Sequence, residues 1–108
     1  MLLQDEKRAL VLFKELLVKE FGDEVIGMRL FGSKARGDDH EGSDIDILVL
    51  TRQDDWHLKD AIGRVATEIL NQYGIYLSVK VFGKLSYERL LALKSPFLRN
   101  ISREGVAL

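Results

Sequence analysis

The sequence predicts an α/β (α+β) domain: a small mixed sheet of three or more strands flanked by helices. Three observations carry that expectation. Leu10, Phe13, Leu17 and Phe21 recur at helical spacing in the first stretch of the chain. Ile45, Ile47 and Val49 instead alternate with Asp44, Asp46 and Leu48, as a strand requires. The two periods interleave along 108 residues, a length suited to one domain spanning residues 1–108.

The elements follow in order. Gln4 to Phe21 reads as a helix whose apolar stripe excludes Lys7, Lys14, Glu15 and Lys19. Asp5 and Glu6 suit the positive end of its dipole, and Gly22 stops it. Val25 to Phe31 reads as a strand, with Ile26, Met28 and Leu30 on one face. Gly32 to Ser43 is a glycine-rich polar loop that opens with a helical turn, and the Asp44–Val49 stretch is the second strand. Asp54 and Asp55 offer an N-cap to a helix that carries Leu58, Ile62, Val65, Ile69 and Tyr73 on one face and ends at Gly74. Trp56 is expected half-buried over the start of that helix, with His57 beside it as an exposed polar residue. Ile75 to Phe82 is a third strand, Ser86 begins a short helix through Leu93, and Ser95-Pro96 caps a last helix that Gly105 closes. Phe97, Leu98 and Ile101 on that helix are apolar enough to pack on the sheet or on a partner.

Composition narrows the chemistry. Apolar residues make up 46% and charged residues 31%, which fits a soluble globular protein and not a disordered one. There is no cysteine, so thiol catalysis, disulfides and Cys-based zinc sites are excluded. A net charge of -1 argues against direct nucleic-acid binding through a basic surface. No apolar run resembles a signal peptide or reaches the length of a membrane span, so a cytoplasmic location is expected and membrane association is not.

The chemistry concentrates in two short runs, Leu30-Phe31-Gly32-Ser33-Lys34-Ala35-Arg36-Gly37 and Gly42-Ser43-Asp44-Ile45-Asp46. Gly32 ends a strand and lets the backbone approach a ligand closely. A turn entering a helical start points N–H groups at phosphate oxygens, and the Ser33 hydroxyl can add a hydrogen bond. Lys34 and Arg36 bring positive charge alongside. Asp44 and Asp46, two apart on a strand, point to one face, opposite Ile45, Ile47 and Val49. Two converging carboxylates repel, and a divalent metal relieves the repulsion. Magnesium favours a few carboxylates together with substrate phosphates, and a metal pair bridging carboxylates and a triphosphate serves in-line displacement at phosphorus. Each fragment alone also fits a plain turn, a solvated strand edge or surface charge; their succession along the chain is what points to a phosphate-and-metal site.

At these residues the sequence resembles the minimal nucleotidyltransferases of the DNA polymerase beta-like superfamily, whose signature is Gly-Ser, a short glycine-containing spacer, and Asp-x-Asp on the next strand. The resemblance implies the nucleotidyltransferase fold over nearly the whole chain. It implies that Gly32 and Ser33 grip a triphosphate, with Lys34, Arg36 and Ser43 around it, and that Asp44 and Asp46 are the catalytic, metal-holding carboxylates. The resemblance also implies a two-metal Mg²⁺ site when nucleotide is bound. ATP is the implied substrate, and AMP passes to a hydroxyl acceptor, in some cases on a partner protein. The family pairs with helical HEPN-type proteins in toxin–antitoxin modules, so a HEPN-type partner and an antitoxin role are expected; association with a second copy stays open.

In one respect the chain departs from the pattern. The superfamily adds a third carboxylate on the strand after the second helix, where it helps activate the acceptor hydroxyl. Here that strand holds no Asp or Glu; Tyr76 and Ser78 are the aligned positions, and Lys80 follows. Two readings compete: a weak or inactive transferase that works by binding, or a site completed by a carboxylate such as Glu41 or one from a partner. The acidic run Asp38–Glu41 reads as a loop closing over nucleotide.

Overall fold

The chain is described by a computed structural model over residues 2–37 and 44–108. Helix α1 (Gln4–Phe21) is followed by a 3-10 turn and strand β1 (Val25–Phe31). A single-turn helix α2 (Ser33–Arg36), strand β2 (Ile45–Thr51), helix α3 (Trp56–Tyr73) and strand β3 (Leu77–Gly83) come next. Helices α4 (Lys84–Ala92) and α5 (Pro96–Glu104) and the short strand β4 (Val106–Ala107) complete the order. The strands form one mixed sheet in the order β3-β2-β1-β4. β1 runs antiparallel to β2 and β4, whereas β2 and β3 are parallel and joined through α3. A parallel pair needs such a crossover, and the amphipathic α3 supplies it.

Two apolar layers sandwich the sheet. On one face Ile45, Ile47 and Val49 of β2 meet Leu10, Phe13 and Leu17 of α1 and Leu58, Ile62, Val65 and Ile69 of α3. The helical and strand stripes read from the sequence meet there. The opposite face carries a second, smaller core: Leu48 of β2 is buried with Leu98 and Ile101 of α5, with Phe31, Leu50, Phe82 and residues of α4 around them. The segment Phe97–Ile101 thus docks on the sheet through Leu98 and Ile101, which are 0% and 2% exposed. Leu98→Ala should cost about 3 kcal/mol of stability, because so small a cluster cannot close over the lost volume. Equilibrium urea unfolding will read this as a lower midpoint at unchanged slope.

The caps form as the sequence expects. Asp55 accepts from the His57 N–H at 2.9 Å, and Gly74 ends α3 in the left-handed region. Ser95 precedes Pro96 at the head of α5 and accepts from the Leu98 N–H. Asp54 serves elsewhere: it accepts from the Gly83 N–H at 3.1 Å and from the Ser86 hydroxyl, and pairs with Lys59. Those hydrogen bonds to Ser86 and Gly83 hold its carboxyl below the ordinary range.

Several expectations need correcting. Trp56 is exposed and stacks on His57 with centroids 3.8 Å apart, because the first residue of α3 overhangs the core. Tyr73 at the other end is exposed for the same reason. β3 begins at Leu77, leaving Tyr76 outside the strand, and α4 begins at Lys84, ahead of Ser86. β4 was not foreseen: two residues carry no periodicity. Arg29 secures it, donating to the Gly105 carbonyl at 2.9 Å, while Leu108 donates to Met28 at 3.0 Å. Among the described residues no helix is long and apolar enough to cross a membrane.

Candidate functional site

The site forms where β1 ends and β2 begins. Gly32 leaves β1 at φ 75°, in the left-handed region that favours glycine. Its carbonyl accepts from the Ala35 and Arg36 N–H groups at 3.2 and 3.1 Å, which folds the chain into α2. A Cβ on Gly32 would stand 3.2 Å from Asp46 Cγ and collide with a carboxylate oxygen. Backbone of the turn and carboxylate of the next strand therefore touch, and only glycine leaves room for both.

Asp46 is the second residue of β2. Its register partners are Phe31 on β1 and Ser78 on β3. Facing residues of neighbouring strands share a face of the sheet. Phe31, Asp46 and Ser78 thus form a row across three strands, on the face opposite Ile45, Ile47 and Val49. Asp46 is half-buried, and that burial pushes its carboxyl above the ordinary value. The charge of Asp44 pushes in the same direction; Lys80, a hydrogen bond with Ser78, and Arg36 pull it back. Asp44 itself is exposed and lies one residue before β2. The two carboxylates converge, although only Asp46 belongs to the strand.

The basic residues of the loop part company. Lys34 is buried at 7% exposure, with its ammonium 3.1 Å from Glu6 Oε1. Glu6 also accepts the Leu3 N–H at 2.8 Å, so the first turn of α1 and the turn that holds Lys34 share one carboxylate. Lys34 is consequently no solvated surface charge; it anchors α2 to α1. Arg36 lies on the other side, 3.4 Å from Glu104 of α5 and near enough to Asp46 to steady its charge. Ser33 opens α2 through its backbone; its side chain, Ser43, Glu41 and the acidic run 38–41 lie outside the described residues.

Of the two positions expected to align with a third acid, Ser78 lies in β3, whereas Tyr76 lies off the strand and is 56% exposed. Ser78 faces Asp46 across the parallel pair, and its hydroxyl pulls the carboxyl of Asp46 back down. Among the described residues no three acidic or histidine side chains gather as a ready metal cage. Asp44 and Asp46 nonetheless suit magnesium, which takes one or two carboxylates and completes its shell with water and phosphate oxygens. Beside Asp46, Phe31, Gly32 and Arg36 line a cleft of about 230 Å³ whose far wall is Phe97, Asn100, Ile101 and Glu104. Phe31 and Glu104 went unmarked by the motif; the pairing of Phe31 with Asp46 across β1 and β2 is the signal that would have found the first.

The model of a family described as "Nucleotidyltransferase domain" matches residues 11–100. Among curated proteins, two from Methanocaldococcus jannaschii named "Putative protein adenylyltransferase" are similar. One is 31% identical over 104 residues, 96% of this chain and 98% of its own length. The other is 39% identical over 84 residues, 68% of this chain and 54% of its own length. Among solved structures, a "putative minimal nucleotidyltransferase" superposes with a TM-score of 0.60 at 24% identity, covering 94% of this chain and 90% of that one. A "putative nucleotidyltransferase" from Sulfolobus solfataricus gives 0.59 at 17% identity, covering 93% and 76%. At those identities the likeness is one of fold.

Proposed function

The chain belongs to the nucleotidyltransferase domain family, and from that premise we propose that it binds ATP with magnesium and transfers AMP to an acceptor hydroxyl, on a partner protein or a small molecule. The observation that carries this reading is the contact between Gly32 and Asp46, which sets a phosphate-binding turn directly against a carboxylate. The names of the M. jannaschii relatives, protein adenylyltransferases, support the adenylyl group and a protein acceptor.

Each residue has a role in this scheme. Gly32 and the turn that opens α2 receive the phosphate oxygens, because a glycine there lets the backbone approach a ligand closely. Arg36 offsets phosphate charge. Lys34 acts through Glu6, holding α2 in place. Asp44 and Asp46 would hold magnesium, which supplies charge neutralisation at the phosphates. The acceptor oxygen attacks the α-phosphorus, the bond from that phosphorus to the bridging oxygen breaks, and pyrophosphate leaves; the acceptor's proton passes to solvent or a base.

A second reading is favoured by one observation: β3 holds no Asp or Glu where the family resemblance expects an acid, with Ser78 at an aligned position and Lys80 on the same side. In that reading the chain serves as an antitoxin, acting by binding a helical HEPN-type partner with little or no transfer. Its association with that partner would then survive Asp46→Ala.

Calorimetric titration of ATP into the protein, with and without Mg²⁺, tests the first reading. Magnesium-dependent binding is expected in the wild type and is lost in the Asp44→Ala/Asp46→Ala pair. Absence of binding in the wild type would overturn it.

A further inference from the structure

We propose that the cleft between β1 and α5 is the nucleobase subsite of the nucleotide pocket, with Phe97 as the ring on which the base packs. The proposal rests on the reading of Gly32, Asp44 and Asp46 as a triphosphate and metal site, and it adds where the rest of the nucleotide lies.

Position is the first argument. Gly32 and Arg36 line this cleft and also belong to the phosphate turn, so a triphosphate held there has its nucleoside end at the cleft mouth. Phe31 is the register partner of Asp46, which puts its side chain on the same face, about 5 Å away between Cβ atoms. The row Phe31–Asp46–Ser78 then gives the site a direction. The cleft lies on the Phe31 side, and the Ser78 and Lys80 side is left for the acceptor.

Chemistry is the second. Phe31 and Phe97 meet edge to face, with centroids 5.7 Å apart at 87°. This contact fixes Phe97 while leaving it 44% exposed. A large apolar ring held rigid yet open to solvent is what a flat aromatic ligand can cover. The neighbours on α5 explain why the ring is held there: Leu98 and Ile101 are buried in the second core and fix the helix. Polar groups stand at the rim, as in small-molecule sites generally. Asn100 accepts from Arg103 at 3.0 Å, which orients its amide, and Glu104 is paired with Arg36. Apolar walls with a few oriented polar groups distinguish this cleft from the solvated face of an ordinary surface helix.

The test compares two ligands on the full chain by calorimetry in Mg²⁺: ATP, and inorganic tripolyphosphate, which carries the phosphates without a base. The proteins are the wild type, Phe97→Ala, and Phe97→Leu, which keeps apolar bulk but removes the aromatic face. Both variants are expected to bind ATP on the order of tenfold more weakly while binding tripolyphosphate as the wild type does. Unchanged tripolyphosphate binding also shows that they are folded. Equal weakening of both ligands, or of neither, overturns the subsite. If the wild type binds neither ligand, the phosphate-site reading itself falls and takes the subsite with it.

Discussion

Asp46→Asn should abolish magnesium-dependent ATP binding and at the same time raise the melting temperature. The two effects have one origin. Burial and the neighbouring Asp44 hold the Asp46 carboxyl above its ordinary value, so ionising it costs more in the folded chain than in the unfolded one. A group with a raised folded value contributes stability below its unfolded value and loses that contribution as pH rises through the folded one. At neutral pH the ionised Asp46 therefore opposes folding, and asparagine, nearly the same shape, removes the opposition. Transfer should fall on the order of a thousandfold, because the metal loses a carboxylate it depends on. Differential scanning fluorimetry at pH 7.5 and at pH 4 checks the sign: the gain over wild type should be larger at the higher pH. A lower melting temperature at both would show that Asp46 is instead a structural ligand of Ser78.

Ser78→Asp is expected to raise the transfer rate, by about a hundredfold if general-base assistance is what the chain lacks. Ser78 is the register partner of Asp46 and shares its face. A carboxylate there would stand beside the metal-binding pair, in reach of an acceptor approaching from the β3 side. The same change brings a third negative charge to Asp44 and Asp46, with Lys80 only partly compensating, so the variant should be less stable without magnesium and recover with it. Pyrophosphate release measured against wild type, with a candidate HEPN-type protein added as acceptor, decides the matter. An unchanged rate would place the limitation elsewhere and favour the antitoxin reading.

Much of this was legible in the sequence, for physical reasons that differ by element. α1 and β1 were readable to their last residues because long amphipathic periods and glycine stops agree. The Gly32-Ser33 turn and the Asp44-x-Asp46 pair were readable because their residue types are expensive to place anywhere else. The burial of Lys34 was not, since its partner Glu6 lies 28 residues back on an element whose charges look like ordinary dipole complements. Leu48 was assigned to the polar face with Asp46, yet it is fully buried, because strand alternation says which side a residue takes and nothing of what covers that side. The register of Phe31 with Asp46, and the reach of α5 to Arg36, arise only when the ends of the chain are brought together.

The shared carboxylate of Glu6 has a consequence for motion. It joins the first turn of α1, through the Leu3 N–H, to the loop that holds Lys34. Breaking an ion pair to a buried ammonium is costly, so fraying of that turn and loosening of α2 favour each other. Coupling of this kind is reciprocal. Whatever orders α2 must slow the opening of α1, and amides of residues 7–9 should exchange with deuterium more slowly when nucleotide is bound, although no residue of α1 lines the cleft. Glu6→Gln would cut the connection and leave those amides indifferent to ligand.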